Sequence, residues 1–451
     1  MSFPRYPQYK DSGVAWLGEI PAHWRVERLK RAASVFPSNV DKKSYDDGVP
    51  VHLCNYTDVY YNDRITRDLD FMSATASAEQ IAKFTLQAGD TVITKDSETA
   101  DDIAVAAYVP VDMPGVVCGY HLSVVRPTRD IDGAFIKRLF DSAFVSASVE
   151  VRANGLTRVG LGQYALDNLQ MPFPTLEEQR LIAEFLDRET AKIDALVAEQ
   201  RRLMELLKEK RQAVISRAVT KGLNPDAPRK PTGIEWLGDV PAHWSVAPIA
   251  SRYTVQLGKM LDATKITGKH LRPYLRVFDV QWDSINTSEL PEMDFDETAR
   301  ARFRLLSGDL LVNEGGSYPG RSAIWLGELE ECYYQKALHR MRAVAASRDT
   351  SRFLFYQMHW AANQGVFVSG GNETTIEHLP AEKLRRYRFA FPPLAEQLEI
   401  IAFLDVEVAQ IEALLAEAEL AINLLLERRS ALISAAVTGQ IDVRGFVEYA
   451  A

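Results

Sequence analysis

The stretch NEGGSYPGRSAIWL (313–326) contains GGSYPGRS, whose two outer glycines have the spacing of a phosphate-binding loop. Such a loop works because backbone N–H groups at a helix N-terminus cradle the phosphates while a lysine reaches over them. Here Arg321 occupies the lysine position, and AIWLGE has the look of a strand, so the helix N-terminus is missing. GLTRVGLGQ (155–163) misplaces the glycines of a dinucleotide fingerprint. The eight histidines are scattered, and neither H-E-x-x-H nor a G-x-S-x-G nucleophile elbow occurs. The Pro-Pro pair in FAFPPLAEQ lacks the preceding Asn or Asp of an amino-methyltransferase tetrapeptide. No residue set is spaced for catalysis, so the expectation is a non-catalytic chain without a metal site.

The elements behind these loops occur twice. SGVAWLGEIPAHW (12–24) returns as TGIEWLGDVPAHW (232–244). FPTLEEQRLIAEFLDRETAKIDALVAEQ from Phe173 returns as FPPLAEQLEIIAFLDVEVAQIEALLAEA from Phe391, and the register holds through AVISRAVT (213–220) and ALISAAVT (431–438). Between them, LQAGDTVIT around Asp90 echoes LLSGDLLVN around Asp309. The chain is therefore two half-repeats, roughly 12–228 and 232–445.

Each half opens on an aromatic entry segment, continues through strand-like runs broken by Gly, Pro, Asn and Asp, and closes on a helix. The first helical stretch has neither Gly nor Pro, and both start just after prolines (Pro172 and Pro174; Pro392 and Pro393). Ile193, Leu196, Leu203, Leu207 and Val214 in one copy, and Ile411, Leu414, Ala418, Ala421, Leu425 and Leu432 in the other, form the expected seam of a helix pair. Trp16, Trp24, Trp236 and Trp244 are expected to dock beside it. A helix of about 45 residues is roughly 70 Å long. The simplest arrangement is antiparallel, with a mixed domain near each end. The boundaries are an entry segment and first mixed region (1–171), a long helix (172–220), a linker (221–231), a second entry segment and mixed region (232–389), a second long helix (390–438) and a C-terminal tail (439–451).

The totals fit this division. At 451 residues the chain exceeds what one core serves, and 47% apolar with 25% charged residues is ordinary for a globular protein. No apolar run is long enough to span a bilayer, and three distant cysteines suggest neither a disulfide framework nor a zinc site, so a cytoplasmic location without membrane contact is expected. The net charge of −9 counts against a simple basic nucleic-acid binder.

The paired WLG-x-x-PAHW phrases, the FP-x-L-x-EQ helix openings, the two G-D strand signatures and the two-half layout together resemble the specificity subunit of a Type I restriction–modification system, across residues 1–445. The resemblance implies an α+β chain: two mixed α/β target recognition domains joined by two long antiparallel coiled-coil helices, in a pseudo-two-fold internal repeat. It implies double-stranded DNA as ligand and two methyltransferase subunits as partners, with two motor-nuclease restriction subunits able to join. No cofactor is expected in this chain, S-adenosylmethionine belonging to the methyltransferase. Because the scaffold copies agree while TKDSETADDIAVAAYV (94–109) and NEGGSYPGRSAIWL differ, an asymmetric, gapped site is expected rather than a palindrome.

Under that resemblance, base contacts fall to loop amides, guanidinium groups and hydroxyls. The first-domain candidates are Lys95, Ser97, Glu98, Asp102, Asn154, Thr157 and Arg158; the second-domain candidates are Asn313, Ser317, Tyr318, Arg321, Asn372, Thr374 and Thr375. Lys42, Lys43, Lys259, Lys265 and Lys269 are candidates for phosphate positioning. The acidic SETADD run sits uneasily near phosphate unless it accepts from cytosine amino groups. Two other readings stay open: a duplicated protein- or glycan-binding scaffold with a coiled-coil spacer, which suits the acidic charge, and a duplicated enzyme with an unrecognised site.

Overall fold

The computed structural model describes residues 3–46, 48–155, 157–260, 267–316, 318–367 and 378–446. The chain forms two compact units, residues 1–201 with 419–451 and residues 202–418. Each unit is α+β and holds one mixed domain, the start of one long helix and the end of the other.

In the first unit, TVIT (Thr91–Thr94) is buried along its whole length, which suits its β-branched residues and the lack of an exposed polar face. It lies inside a four-stranded antiparallel sheet, in the order Ala33–Pro37, Leu122–Pro127, Thr91–Thr94, Ala106–Tyr108. Ile93 and Val125 face the helix Gly133–Phe140 through Phe135 and Leu139. Val92 and Val124 face a three-stranded sheet through Val51, Leu53 and Val117. The second unit repeats this order with Tyr253–Leu257, Leu338–Ala343, Leu310–Asn313 and Ser322–Ile324. Leu310 and Met341 pack toward Phe353 and Trp360 of the helix Ser351–Asn363, while Leu311 and Leu338 pack toward Leu275.

The G-D signature at the start of each central strand is an ion pair across the sheet. Asp90, fully buried, takes Arg126 at 2.8 and 2.7 Å and the Gln87 N–H at 2.8 Å. Asp309 takes Arg342 at 2.6 and 2.7 Å and the Leu306 N–H at 2.8 Å. A bidentate guanidinium satisfies a carboxylate that burial would otherwise penalise.

The long helices span Leu176–Lys221 and Leu394–Val437. They run antiparallel in each unit: Asp194 pairs with Arg429 at 2.9 Å in the first, and Arg211 with Glu412 and Leu207 with Ile411 and Leu415 in the second. The expected seam needs correction. Leu196, Leu203 and Leu414 are 52%, 43% and 47% exposed, and Ile193, Val197, Leu207, Ile411, Leu415 and Ala418 are the buried positions. Helical spacing alone does not choose between adjacent apolar rows when both carry leucine.

The entry phrases clamp helix ends. In the first unit Glu178, in the first turn of its helix, receives Tyr6 Oη at 2.6 Å and Trp24 Nε1 at 3.2 Å, and lies 2.9 Å from His23 Nε2. Pro21 and Trp24 also pack on Gly439 just beyond the end of the other helix, where φ is +75° and a Cβ would stand 2.3 Å from Pro21. In the second unit Glu396 receives Trp244 Nε1 at 3.0 Å and lies 2.7 Å from His243, and Gly222 packs on Trp244. The neighbouring glutamines, Gln179 and Gln397, are fully buried. Each donates to the carbonyl of a preceding proline at 3.0 Å and accepts from the backbone N–H of Asp132 or Thr350, the residue that caps the domain helix. Trp24 and Trp244 thus dock as expected. Trp236 is half-buried against Trp360 and Phe389, and Trp16, 59% exposed, does not dock. Arg229–Pro231, read above as linker, pairs as a strand with Asp239–Pro241, and Val443 in the tail is buried in the first core.

Acid should loosen the second unit. His359 lies edge-on to Trp282 at 4.6 Å between ring centres, and burial, with the nearby Arg211 charge adding to it, holds its imidazole down to about 4. The unfolded chain takes up that proton near 6.5, so between about 6.5 and 4 it binds more protons than the fold. Stability is therefore complete above this window and falls as pH drops through it. A melting series across about pH 4–7 should slope less steeply in His359→Phe. His339, buried with Nε2 2.7 Å from the Leu379 carbonyl and also held low chiefly by burial, adds a slope of the same sign. An identical slope in the variant would refute the assignment.

Candidate nucleic-acid interface

In the first unit, two loops distant in sequence meet through a short strand pair. Asp96–Ser97 runs antiparallel to Val159–Gly160, with Ser97 opposite Val159, and the Leu161 N–H donates to the Lys95 carbonyl at 2.9 Å. Asn154 and Gly160 exchange two backbone hydrogen bonds at 3.2 and 3.0 Å, so Thr157 and Arg158 project from a closed turn. Six first-domain candidates, Lys95, Glu98, Asp102, Asn154, Thr157 and Arg158, are partly or fully exposed there. Ser97 is 5% exposed, taken into the strand pair rather than offered to solvent.

Lys95 is committed locally: its Nζ lies 2.8 Å from Asp96 and 4.6 Å over the Tyr120 ring. Burial alone would raise the Asp96 carboxyl, but hydrogen bonds from Lys95 and His121 outweigh it and hold that group below its ordinary value. Asp102 accepts Tyr60 Oη at 3.0 and 2.9 Å, which raises the Tyr60 phenol and lowers the cost of the acidic loop at one of its carboxylates. Tyr60 stacks on Tyr56 at 5.4 Å, and Tyr61 and Tyr120 are 77% and 51% exposed. The sequence reading passed over these aromatics; their signal was the NYTDVYYND and GYH runs between strands.

In the second unit the stretch that imitates a phosphate loop is a β-hairpin connection. Leu310–Asn313 and Ser322–Ile324 pair antiparallel, the Gly320 N–H donates to the Asn313 carbonyl at 3.0 Å, and the Asn313 N–H to Arg321 at 2.8 Å. A strand follows it, so no helix N-terminus points at an anion. Arg321 lies 4.0 Å over the exposed Tyr318 ring and donates to Gln281 Oε1 at 2.5 Å. Beside Gln281, Arg276 lies 4.0 Å over Phe278, which is 61% exposed. Gln281, Arg276 and Phe278 were also missed, because their VFDVQW context reads as strand. Asn313 is 3% exposed and donates to the Val277 carbonyl at 3.3 Å, so its amide is built into the sheet.

Ser317, Asn372, Thr374, Thr375 and Lys265 lie outside the described residues. Phe367 packs on Gly320, and the Leu379 N–H donates to the Glu314 carbonyl at 2.6 Å, so both flanks of 368–377 meet the hairpin connection. Lys42, Lys43 and Lys269 are exposed, whereas Lys259 donates to the Asp294 carbonyl and lies 4.7 Å over Phe295. Among the described residues no group of three or more His, Cys, Asp or Glu could hold a metal, and no helix is long and apolar enough to cross a membrane.

Each unit thus presents, at the end of the same central strand, a polar loop flanked by aromatic rings and with a guanidinium to offer. Planar and hydroxyl-bearing groups of this kind match the donor and acceptor edges of bases. Residues 35–204 match the model of the Type I restriction modification DNA specificity domain. The chain is 22% identical over 405 residues to the Type I restriction enzyme StySPI specificity subunit of Salmonella potsdam, covering 85% of this chain and 82% of that one. It is 23% identical to the EcoKI specificity subunit of Escherichia coli (strain K12), over 65% of this chain and 62% of that one. In fold it is similar to a chain solved to explain complex assembly and conformational transition of the type I R-M system, with TM-score 0.72, 16% identity and 93% and 98% of the two chains covered. It is also similar to the HsdS subunit from Thermoanaerobacter tengcongensis, with TM-score 0.56, 17% identity and 94% and 98% covered. The repeated clamp, the repeated sheet and these likenesses converge: over residues 35–204 the chain matches the Type I restriction modification DNA specificity domain, and across most of its length it is similar to Type I restriction enzyme specificity subunits.

Proposed function

We propose that this chain is the non-catalytic DNA-reading subunit of a Type I restriction–modification complex, and that each mixed domain reads one half of an asymmetric, gapped site. The observation that carries this is the pairing of one sheet topology with two unlike loops at the same strand end: Lys95–Asp102 beside 154–158 in one unit, 313–321 beside Gln281 in the other. Similar scaffolds with different polar loops suit two different half-sites, where identical loops would suit a palindrome.

The long helices dock the methyltransferase subunits in this reading. Support comes from leucines left outside the seam: Leu196, Leu420 and Leu424 in the first unit, Leu203, Leu206 and Leu414 in the second, each at least 43% exposed. Rows of exposed leucine mark a surface made for a partner. S-adenosylmethionine chemistry, and cleavage where motor-nuclease subunits join, then reside in those partners, in the cytoplasm with the DNA. The duplicated protein- or glycan-binding scaffold fits the acidic charge but leaves the Arg321–Tyr318–Gln281 arrangement without a role.

The test is methylome sequencing of cells expressing this chain with its methyltransferase, against cells expressing the methyltransferase alone. Methylated adenines in one asymmetric, gapped motif, seen only with this chain, are expected. Co-purification of the two proteins without any such motif would favour the scaffold reading.

A further inference from the structure

Each unit contains an arginine that bridges a carboxylate of the long helix to a carboxylate of the mixed domain, yet the two arginines come from non-equivalent positions. In the first unit Arg138, 3% exposed, donates to Asp187 of the long helix at 3.1 and 2.6 Å and to Asp63 at 3.2 Å. In the second, Arg352 donates to Asp405 of the long helix at 2.9 Å and to Asp283. Asp187 and Asp405 correspond in the repeat, and Asp63 and Asp283 lie in the same loop of their units, five and four residues after the matching capping-box residues Asp58 and Asp279. The arginines do not. The N-caps Asp132 and Thr350 align the two domain helices, placing Arg138 opposite Tyr356 and Arg352 opposite Ala134, one helical turn away. Tyr356 still donates to Asp405, at 2.6 Å. The same bridge has been built twice from different residues, which a surface ion pair of no consequence would not require.

The bridge leads to the reading loops. Asp283 sits in the turn joining Val280–Gln281 to Ser284–Ile285, at φ +54°, and Gln281 on that hairpin holds Arg321 at 2.5 Å. Asp63 follows the helix Tyr56–Tyr60, whose Tyr60 holds Asp102. In both units contacts run from long helix to arginine to loop carboxylate, and the backbone carries the line two or three residues further to a side chain that positions a candidate base reader.

We propose that Arg138 and Arg352 are positioning residues for sequence reading, each setting its own domain's recognition loop against the long helix of its unit. A guanidinium suits the task because its planar fork engages two carboxylates in fixed directions, which a lysine ammonium does not. Loss of the bridge loosens the loop, although in the first unit Lys137 still holds Asp63, and lowers discrimination at that domain's half-site alone. The inference rests on the DNA-reading assignment above.

The experiment compares the parent chain with Arg352→Ala and Asp283→Asn, each assembled with its methyltransferase, on duplexes carrying single-base changes in either half-site. Asp283→Asn keeps the Arg352–Asp405 pair and carries the test if Arg352→Ala fails to fold. The expected result is a loss of discrimination of roughly fivefold at one half-site, with the other unchanged. Arg138→Ala and Asp63→Asn should affect the opposite half-site. Unchanged discrimination, or an equal loss at both half-sites tracking a lower melting temperature, overturns the proposal while leaving DNA reading intact. If the parent chain directs methylation to no gapped motif, the reading fails and the proposal goes with it.

Discussion

Asp90→Ala should cost about 3 kcal/mol of stability, toward the lower end of what removing one partner of a buried ion pair costs. Asp90 is fully buried, and its loss leaves the Arg126 guanidinium with the Thr85 carbonyl at 3.0 Å but no counter-charge in the sheet. Arg126 is 25% exposed, so water partly compensates it, which is why the larger values are not expected. The Gln87 N–H also loses its acceptor. Because Thr91–Thr94 leads directly into Lys95, this weakening reaches the first reading loop. Chemical denaturation of parent and variant measures the stability loss, and methylation of duplexes altered in each half-site shows whether the first is read more loosely. Asp90→Asn, which keeps the shape and one acceptor, should cost less. A variant within a few tenths of a kcal/mol of the parent would mean that the G-D signature is not an ion-pair anchor.

Arg321→Ala should alter discrimination at one half-site by about 1–3 kcal/mol, the range for a bidentate arginine–guanine contact. Tyr318 lies beneath the guanidinium and Gln281 holds one of its nitrogens, so its plane is set before DNA arrives. Preorganisation of this kind reduces the ordering cost of binding. Arg321→Lys keeps the charge but loses the planar fork, and should resemble alanine in discrimination while retaining more overall affinity. Equilibrium binding of the assembled complex to cognate and single-base-changed duplexes, at several salt concentrations, separates the outcomes. Uniform weakening on all sequences with a shallower salt dependence would make Arg321 a phosphate contact. No change in affinity or preference would remove it from the interface.

Much of the scaffold was legible in the chain. The duplicated entry phrases, the long helices and the G-D strands are local patterns whose meaning barely depends on context. Trp24 and Trp244 need an indole acceptor near the backbone that follows P-A-H, and the glutamate of E-Q supplies it in both copies. The reading loops were legible only as polar breaks between strands. That Lys95–Asp102 and 154–158 lie side by side follows from pairing Asp96–Ser97 with Val159–Gly160, a contact between segments some sixty residues apart that no periodicity encodes.

The seam shows the same division. Helix and pairing follow from apolar spacing, and the antiparallel sense from both mixed regions feeding a helix start, but which leucines turn inward depends on the rotation each helix adopts against the sheet, the capped domain helix and the entry phrase. Leu196 and Leu414 satisfy the spacing and still face outward. Arg138 and Arg352 are the sharpest case. They are unaligned in the repeat and meet the corresponding carboxylates Asp187 and Asp405 only because each helix turn carries them to the same place in space. Repetition and local motifs were enough for the two-half architecture. The side chains that hold its loops to its helices were chosen by long-range packing, since a charge can neutralise a buried neighbour from any position within reach.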